Sequence, residues 1–345
     1  MLEAMLKELT LRKNELPKEP LNSIYFGGGT PSLLTPSQIE KFIEAANAHF
    51  DFNPNIEVTL EMNPDDYVEG FFDEIKAVGI NRLSIGVQSF LDRELSLMNR
   101  AHNAQDAYLV LDSVKQHFDN YSIDLIYGVP GSSLISWKKN LEIALSFSPP
   151  HISSYALTVE PKTALAKQVK NSEVILLEEE EVAQQFELLI DSLTEKDFEH
   201  YELSNFGLFG YHSVNNSSYW KGKPYLGIGP SAHSYFNKER SWNVAHNKKY
   251  TEQIFSGSLP IEREKLTKID QFNEFIMTGL RTSSGVAIHD IQTLFGQKFS
   301  TLFEEQVEKH IRHQHLYWDG DVVRVTKKAK FLVDGIASDL FLLNL

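Results

Sequence analysis

Arg82-Leu83-Ser84-Ile85-Gly86-Val87-Gln88-Ser89-Phe90 is the stretch on which the reading of the fold turns. Residues 82–87 have the length and apolar content of a short strand, and Gln88 ends it on an amide. Before it, residues 71–78 read as a helix stopped by Gly79, and residues 57–62 as another strand. After it comes a helix with Ala107, Val110, Leu111, Val114 and Phe118 on one face, then a strand over residues 122–127. Two more strands, residues 152–157 and 200–203, flank a helix whose inward side chains are Val182, Phe186, Leu189, Ile190 and Leu193. Upstream, residues 23–26 form an apolar strand that runs into Gly27-Gly28-Gly29-Thr30. Thr35, Pro36 and Gln38 mark a capped helix start, and its stripe is Ile39, Phe42, Ile43, Ala46 and Phe50.

Strands that alternate with helices imply a parallel sheet, because each crossover helix must cover a sheet face. Six such units predict an α/β fold, a partial (β/α)6 TIM-like barrel. A doubly wound open sheet is the alternative, which periodicity alone does not separate. Beyond Pro260 the pattern turns helical, over residues 268–281, 289–295 and 301–313. A hairpin of residues 316–318 and 322–325 turns at Asp319-Gly320, and a last helix is expected over residues 328–342. This predicts a mainly helical, winged-helix-like domain over residues 259–345, after a barrel and its extension over residues 1–258.

With 42% hydrophobic residues, a chain of 345 supports one large domain and a smaller one. Its 33 basic and 47 acidic residues give a net charge of −14, which repels nucleic acid and anionic membranes. No run approaches the roughly 18 apolar residues of a membrane span. Met1-Leu2-Glu3-Ala4-Met5 begins a charged amphipathic helix instead of a secretory signal. There is no cysteine, hence no disulfide framework, and a cytoplasmic location is expected.

In parallel barrels the ligand-contacting groups sit at the carboxyl ends of strands. Polar and glycine residues gather there: Gly28, Gly29 and Thr30 after the first strand, Glu61 after the next, then Gln88, and Asp124 in the strand that leads to Gly128-Val129-Pro130-Gly131. Singly, each reads as a polar strand end that bonds its own loop. Together with Arg100 they make a glycine cradle, two carboxylates, an amide and a guanidinium. Carboxylates suit ribose hydroxyls and an amino group, and the guanidinium suits a carboxylate, as on an amino-acid nucleoside.

Four motifs occur in order: Tyr25-Phe26-Gly27-Gly28-Gly29-Thr30-Pro31-Ser32, the stretch from Arg82 to Phe90, Asn99-Arg100-Ala101-His102, and Asp124-Leu125-Ile126-Tyr127-Gly128-Val129-Pro130-Gly131. Together they resemble the HemW heme-chaperone family of the radical S-adenosylmethionine (SAM) superfamily, close to oxygen-independent coproporphyrinogen III oxidase. The resemblance extends from Met1 through Tyr225-Leu226-Gly227-Ile228-Gly229-Pro230-Ser231-Ala232-His233-Ser234 to the C-terminal domain. It implies that Gly28, Gly29 and Thr30 cradle SAM, with Glu61, Gln88, Arg100, Asp124 and Ala156 around it. His233 falls where the family lines the same mouth, with a core histidine as the alternative reading. The implied partners are heme or another porphyrin and a haemoprotein acceptor, through which any membrane contact would run.

The chain departs from this family in two places. The family holds a [4Fe–4S] cluster on cysteines, in a loop expected to precede Met1, and no cysteine is present here. The family's heme motif is His-Asn-x-x-Tyr-Trp, and the aligned stretch is Asn215-Asn216-Ser217-Ser218-Tyr219-Trp220. Asparagine is a poor heme ligand, so His212, Asn216, Tyr219 and Trp220 are the heme candidates, with an ordinary aromatic core as the alternative for the last two. Three readings stay open: a heme chaperone, a coproporphyrinogen oxidase, and a cluster-free ligand-binding barrel. Neither the His310, His313, His315 cluster nor the acidic run Glu178 to Glu181 is read as a metal site; both suit solvated helix ends. No catalytic residue is assigned.

Overall fold

The fold is described from a computed structural model over residues 1–343. The chain contains thirteen strands among the described residues. They are β1 (Leu21–Phe26), β2 (Phe52–Met62), β3 (Arg82–Gln88), β4 (Tyr121–Tyr127), β5 (His151–Ala156), β6 (Glu199–Glu202), β7 (Asn205–Gly207), β8 (His233–Phe236), β9 (Glu239–Asn243), β10 (Ile261–Lys265), β11 (Val286–Ala287), β12 (Leu316–Asp319) and β13 (Val322–Val325). The largest sheet has the order β1-β2-β3-β4-β5-β7-β6. From β2 to β5 each neighbour pairs in parallel, as the alternation of strand and helix requires. This is the partial (β/α) barrel that the alternation predicts.

By its contacts the chain divides into two units. One comprises Ile24–Pro36 and Glu57–Ser213; the other comprises Met1–Ser23, Ser37–Ile56 and Val214–Leu345. In the first unit, the helices Ala104–His117 and Glu179–Thr194 bury most of the apolar stripes read from their spacing, and Phe71–Ala77 and Leu134–Ser146, the latter not foreseen, pack beside them. Val58, Leu60, Leu83, Ile85, Val87, Ile123, Leu125 and Ile152 form a near-solvent-free layer with them. Aromatic pairs lock this layer: Phe72 meets Phe118 edge-on at 5.8 Å, and Tyr127 meets Trp137 at 5.8 Å. Burial of side chains this large contributes about 1.5–3 kcal/mol each.

The sixth parallel unit closes differently from expectation. β6 does not lie beside β5, because the three-residue β7 returns antiparallel and inserts between them. Also unforeseen was the antiparallel sheet β10-β9-β8. These strands are short and carry charges, as in Ile261-Glu262-Arg263-Glu264-Lys265, so no apolar run announces them.

In the second unit the helices Lys268–Leu280, Ile288–Phe295 and Gln297–Arg312 enclose Phe272, Phe295, Phe299 and Phe303. The small sheet β11-β13-β12 forms the wing, turned at Gly320 with φ 65°. The expected single helix over residues 328–342 is instead a 3-10 segment, Lys327–Leu332, followed by an α-helix, Val333–Asp339. Over six residues, periods of 3.0 and 3.6 place apolar side chains on nearly the same face, so sequence spacing does not tell the two windings apart.

The N-terminal helix Leu2–Leu11 belongs to the second unit and carries a fully buried carboxylate, Glu8. Arg12 Nη1 donates to it at 3.0 Å, Asn243 Nδ2 at 2.7 Å, the Gly229 N–H at 2.8 Å and Tyr250 Oη at 2.5 Å. Each carboxylate oxygen thus receives two donors. Removing this anion leaves the Gly229 N–H and the Tyr250 hydroxyl without their acceptor and Arg12 with Glu15 as its remaining counter-ion, a loss of about 1–3 kcal/mol. Glu8→Ala should therefore lower the urea midpoint of the second unit markedly, whereas an unchanged midpoint would show that the network contributes little.

Candidate functional site

On β2 to β5 alternate side chains face opposite ways. One face carries the apolar layer. The other is polar along its length: Glu57, Thr59 and Glu61 on β2, Arg82 and Ser84 on β3, Ser122 and Asp124 on β4, His151 and Ser153 on β5. The register aligns them, Thr59 with Arg82, Glu61 with Ser84, Ser84 with Ser122, and Asp124 with Ser153. A sheet buried for packing alone carries apolar residues on both faces, so an inner face this polar marks a place where ligands meet the strands.

At the carboxyl end of β1, three glycines do different work. A Cβ at Gly27 would stand 2.5 Å from the Tyr25 ring and 2.9 Å from Glu61 Oε1, so only hydrogen fits there. Gly28 and Gly29 have φ of 75° and 89°, and a Cβ on either would meet nothing within 4 Å. Both are exposed, so their backbone faces open space at the strand end. Glu61 secures the loop: it accepts the Gly28 N–H at 3.1 Å and the Tyr25 hydroxyl at 2.7 Å. The Tyr25 hydroxyl is pushed well above its ordinary pKa, first by burial, then by the charges of Glu61 and Asp124. Thr30 follows and leads into a 3-10 turn, Pro31–Leu33, whose Ser32 hydroxyl donates to Asp66 at 2.7 Å.

Gln88 ends β3 with φ of 66°, where the pairing of β3 with β4 shifts register. This bulge turns the amide back over Gly86, because a Cβ on Gly86 would lie 2.9 Å from Gln88 Nε2, 3.5 Å from Arg100 Nη2 and 3.5 Å from Asn63 Oδ1. Arg100 donates to Asn63 at 2.6 Å. Burial lowers the guanidinium pKa, opposed by nearby Asp65. Asp124, on the same polar face, accepts from Ser84 at 2.8 Å and from Ser122 at 3.0 Å. Burial raises its pKa, while the hydrogen bonds from Ser84, Ser153 and Ser122 and the charge of Arg82 pull it down.

The structure therefore brings Gly28, Gly29, Thr30, Glu61, Gln88, Arg100 and Asp124 to the polar side of one unit. Tyr25, Asn63, Ser84 and Gly86 belong with them; the motifs quoted from the sequence contain Tyr25, Ser84 and Gly86 without a role for any of the three, and Asn63 carries no sequence signal. Ala156 shares register with Tyr127, whose ring packs on Trp137 and Phe186, so its methyl lies on the helix side of β5. Only its backbone is available at the exposed strand end. His233 is exposed on β8 in the second unit, 6.1 Å from Trp242 between ring centres.

The heme candidates divide as well. His212 belongs to the first unit, where its ring stacks on Tyr201 at 4.2 Å and its Nε2 stands 2.9 Å from Glu199. Asn216, Tyr219 and Trp220 lie on the helix Val214–Trp220 of the second unit. Tyr219 meets Tyr225 edge-on at 4.5 Å, and the Arg281 guanidinium sits 5.0 Å from the Trp220 ring. No group of three or more histidine, aspartate or glutamate residues among the described residues is arranged to hold a metal ion.

The radical SAM superfamily profile matches residues 4–143, and the HemN C-terminal domain profile matches residues 266–332. The heme chaperone HemW of Lactococcus lactis is 32% identical over 345 residues, covering 97% of this chain and 91% of that protein. The heme chaperone HemW of Synechocystis is 33% identical over 83% of this chain and 70% of its own length. A mitochondrial radical S-adenosyl methionine domain-containing protein of Danio rerio is 31% identical over 83% of this chain and 67% of its own. Among solved structures, the radical SAM enzyme coproporphyrinogen III oxidase of Escherichia coli superposes with a TM-score of 0.83. That likeness covers 99% of this chain and 82% of the other, at 22% identity, and speaks to the fold.

The buried histidines give the protein a pH signature. Burial holds the pKa of His102, His151 and His310 below the ordinary imidazole value. The unfolded chain then binds protons that the native state refuses, below about pH 6.5. Their contribution is fully present above that value and is lost as pH falls toward the native pKa values. Asp124, with its raised pKa, acts in the opposite sense from the ordinary carboxylate value upward. Urea unfolding at about pH 7.5 and about pH 5.5 should show the lower stability at the acid point; equal midpoints would mean the three imidazoles titrate alike folded and unfolded.

Proposed function

The chain belongs to the HemW family of heme chaperones, and from that premise we propose that its polar strand-end rim binds S-adenosylmethionine and that the protein carries heme toward a haemoprotein acceptor. The observation that carries the first half is the glycine cradle beside two carboxylates. Gly28 and Gly29 present backbone to open space at left-handed φ, where a ligand can approach closely. Asp124 retains acceptor capacity beyond its bonds from Ser84, Ser122 and Ser153, enough for a ribose hydroxyl or an amino group. Arg100 supplies the cation for a ligand carboxylate, and the Gln88 amide lies beside it over Gly86. Glu61 sets the loop through Tyr25 and Gly28, and each of its oxygens keeps a further acceptor site for a ligand donor.

The residues present do not fit the iron–sulfur cluster that the superfamily implies. Such clusters need thiolates, and the chain of 345 residues contains none. No radical step is therefore derived for this chain. The chaperone reading needs none, and the relatives that carry that name cover nearly the whole chain. Heme itself would meet the aromatic face of Tyr219 and Trp220 on the helix Val214–Trp220.

No described helix is long and apolar enough to cross a membrane, so the acceptor supplies any membrane contact in this reading. Calorimetric titration with SAM should show saturable binding, weakened roughly tenfold or more by Asp124→Ala. Equal affinity in that variant would remove Asp124 from the ligand. Incubation of this chain with iron and sulfide under anaerobic conditions should give no brown cluster absorbance. Stoichiometric bound iron and sulfide would overturn the statement that the residues cannot hold a cluster.

A further inference from the structure

His151 is fully buried, and its partners differ from those of His102, His117 and His200 in the same unit. His102 donates to the Val87 carbonyl at 3.0 Å, His117 bonds the Ser113 carbonyl at 2.8 Å, and His200 bonds the Leu203 carbonyl at 3.0 Å. Each bonds a backbone carbonyl, the ordinary partner of a core imidazole. His151 has two side-chain hydroxyls instead: Ser122 Oγ stands 2.8 Å from Nδ1, and the Tyr201 hydroxyl 2.8 Å from Nε2.

Counting protons fixes the direction of these bonds. Ser122 has one hydroxyl proton and two further oxygen neighbours, Asp124 Oδ1 and Ser153 Oγ, each at 3.0 Å; the carboxylate can only accept, whereas Ser153 has a proton of its own, so Ser122 donates to Asp124. Toward His151 the serine oxygen can then only accept, so Nδ1 must carry the imidazole proton. Nε2 of a neutral ring is then an acceptor, and Tyr201 must donate to it. The Tyr201 oxygen, its own proton committed, accepts the Ser213 N–H at 3.3 Å. Burial favours the neutral imidazole, and the Arg82 charge adds to this. Every link therefore points the same way: Ser213 N–H to Tyr201, Tyr201 to His151, His151 to Ser122, Ser122 to Asp124.

We propose that His151 is a positioning residue for Asp124, acting through Ser122 as the middle link of a one-way hydrogen-bond chain. The proposal rests on the reading of Asp124 as a SAM-binding group. Register explains how the links meet. Ser122 pairs with His151 across β4 and β5, and Asp124 lies two residues along β4 on the same face. Tyr201, on β6, reaches past β7 to the imidazole. The chain holds one oxygen of the carboxylate while Ser84 holds the other at 2.8 Å, so the carboxylate plane is fixed before a ligand arrives. In a buried site such aligned bonds strengthen one another, and a ligand then orders less on binding.

Two substitutions separate this role from packing. An asparagine amide can replace the Nδ1 donor, and a glutamine amide reaches the Nε2 position instead. In calorimetric titrations with SAM, His151→Asn should stay within about threefold of the wild type, while His151→Gln and Ser122→Ala should bind roughly tenfold more weakly. Thermal melts of each variant establish that the titrated protein is folded. Equal affinities for the Asn and Gln variants would overturn the proposal and leave SAM binding itself untouched. Failure of the wild type to bind SAM would overturn the ligand role of Asp124, and with it what His151 serves.

A second measurement needs no ligand and no variant. Nitrogen-15 spectra of histidine-labelled wild type should show His151 neutral and protonated at Nδ1 between about pH 5 and 8. A ring protonated at Nε2, or one that titrates in that interval, would break the chain irrespective of any binding result.

Discussion

Asp124 is a buried carboxyl group on the inner face of a sheet whose other face is packed with aliphatic side chains. Such a group is tolerable only while donors surround it, and Ser84 on β3 and Ser122 on β4 both serve it. That need sets what the neighbouring strands can carry: serines at matched register, a neutral imidazole behind one of them, and Arg82 close enough to lower the carboxylate pKa. The polar interior is therefore one connected arrangement. The rim of glycines, Gln88 and Arg100 stands at the carboxyl ends of the strands that hold it.

Much of the scaffold was legible in the sequence, and for a physical reason. Leu83, Ile85 and Val87, or Ile123 and Leu125, must be buried by helices, and their spacing announces both strand and covering helix. The same logic fails for β7, which is three residues long, and for β8 to β10, whose side chains are largely polar or charged. β8 and β9 form a tight hairpin, with Phe236 opposite Glu239, yet no apolar alternation in such short polar stretches announces it. The 3-10 winding of Lys327–Leu332 escaped for a related cause, since a short segment does not fix its own period.

The site divides along the same line. Gly28, Gly29, Glu61, Gln88 and Asp124 could be proposed because position at a strand end, together with residue type, carries meaning. Ser84, Ser122 and His151 could not, because a serine or a histidine within a strand has many ordinary uses. Only the register of β3, β4 and β5 makes them a set. Register also shows what resemblance alone could not: Ala156 turns its methyl to the helix side, next to the position of Tyr127. The bulge at Gln88 is another such case, since its left-handed backbone and its contact with Gly86 have no sequence signature apart from the glycine.

The most direct test of this account is a crystal structure of the protein grown with S-adenosylmethionine. The account expects the nucleoside seated against the backbone of Gly28 and Gly29, its polar groups on Asp124 and its carboxylate on Arg100. A ligand lodged elsewhere, with Asp124 still bonded only to its serines and Arg100 to Asn63, would contradict it.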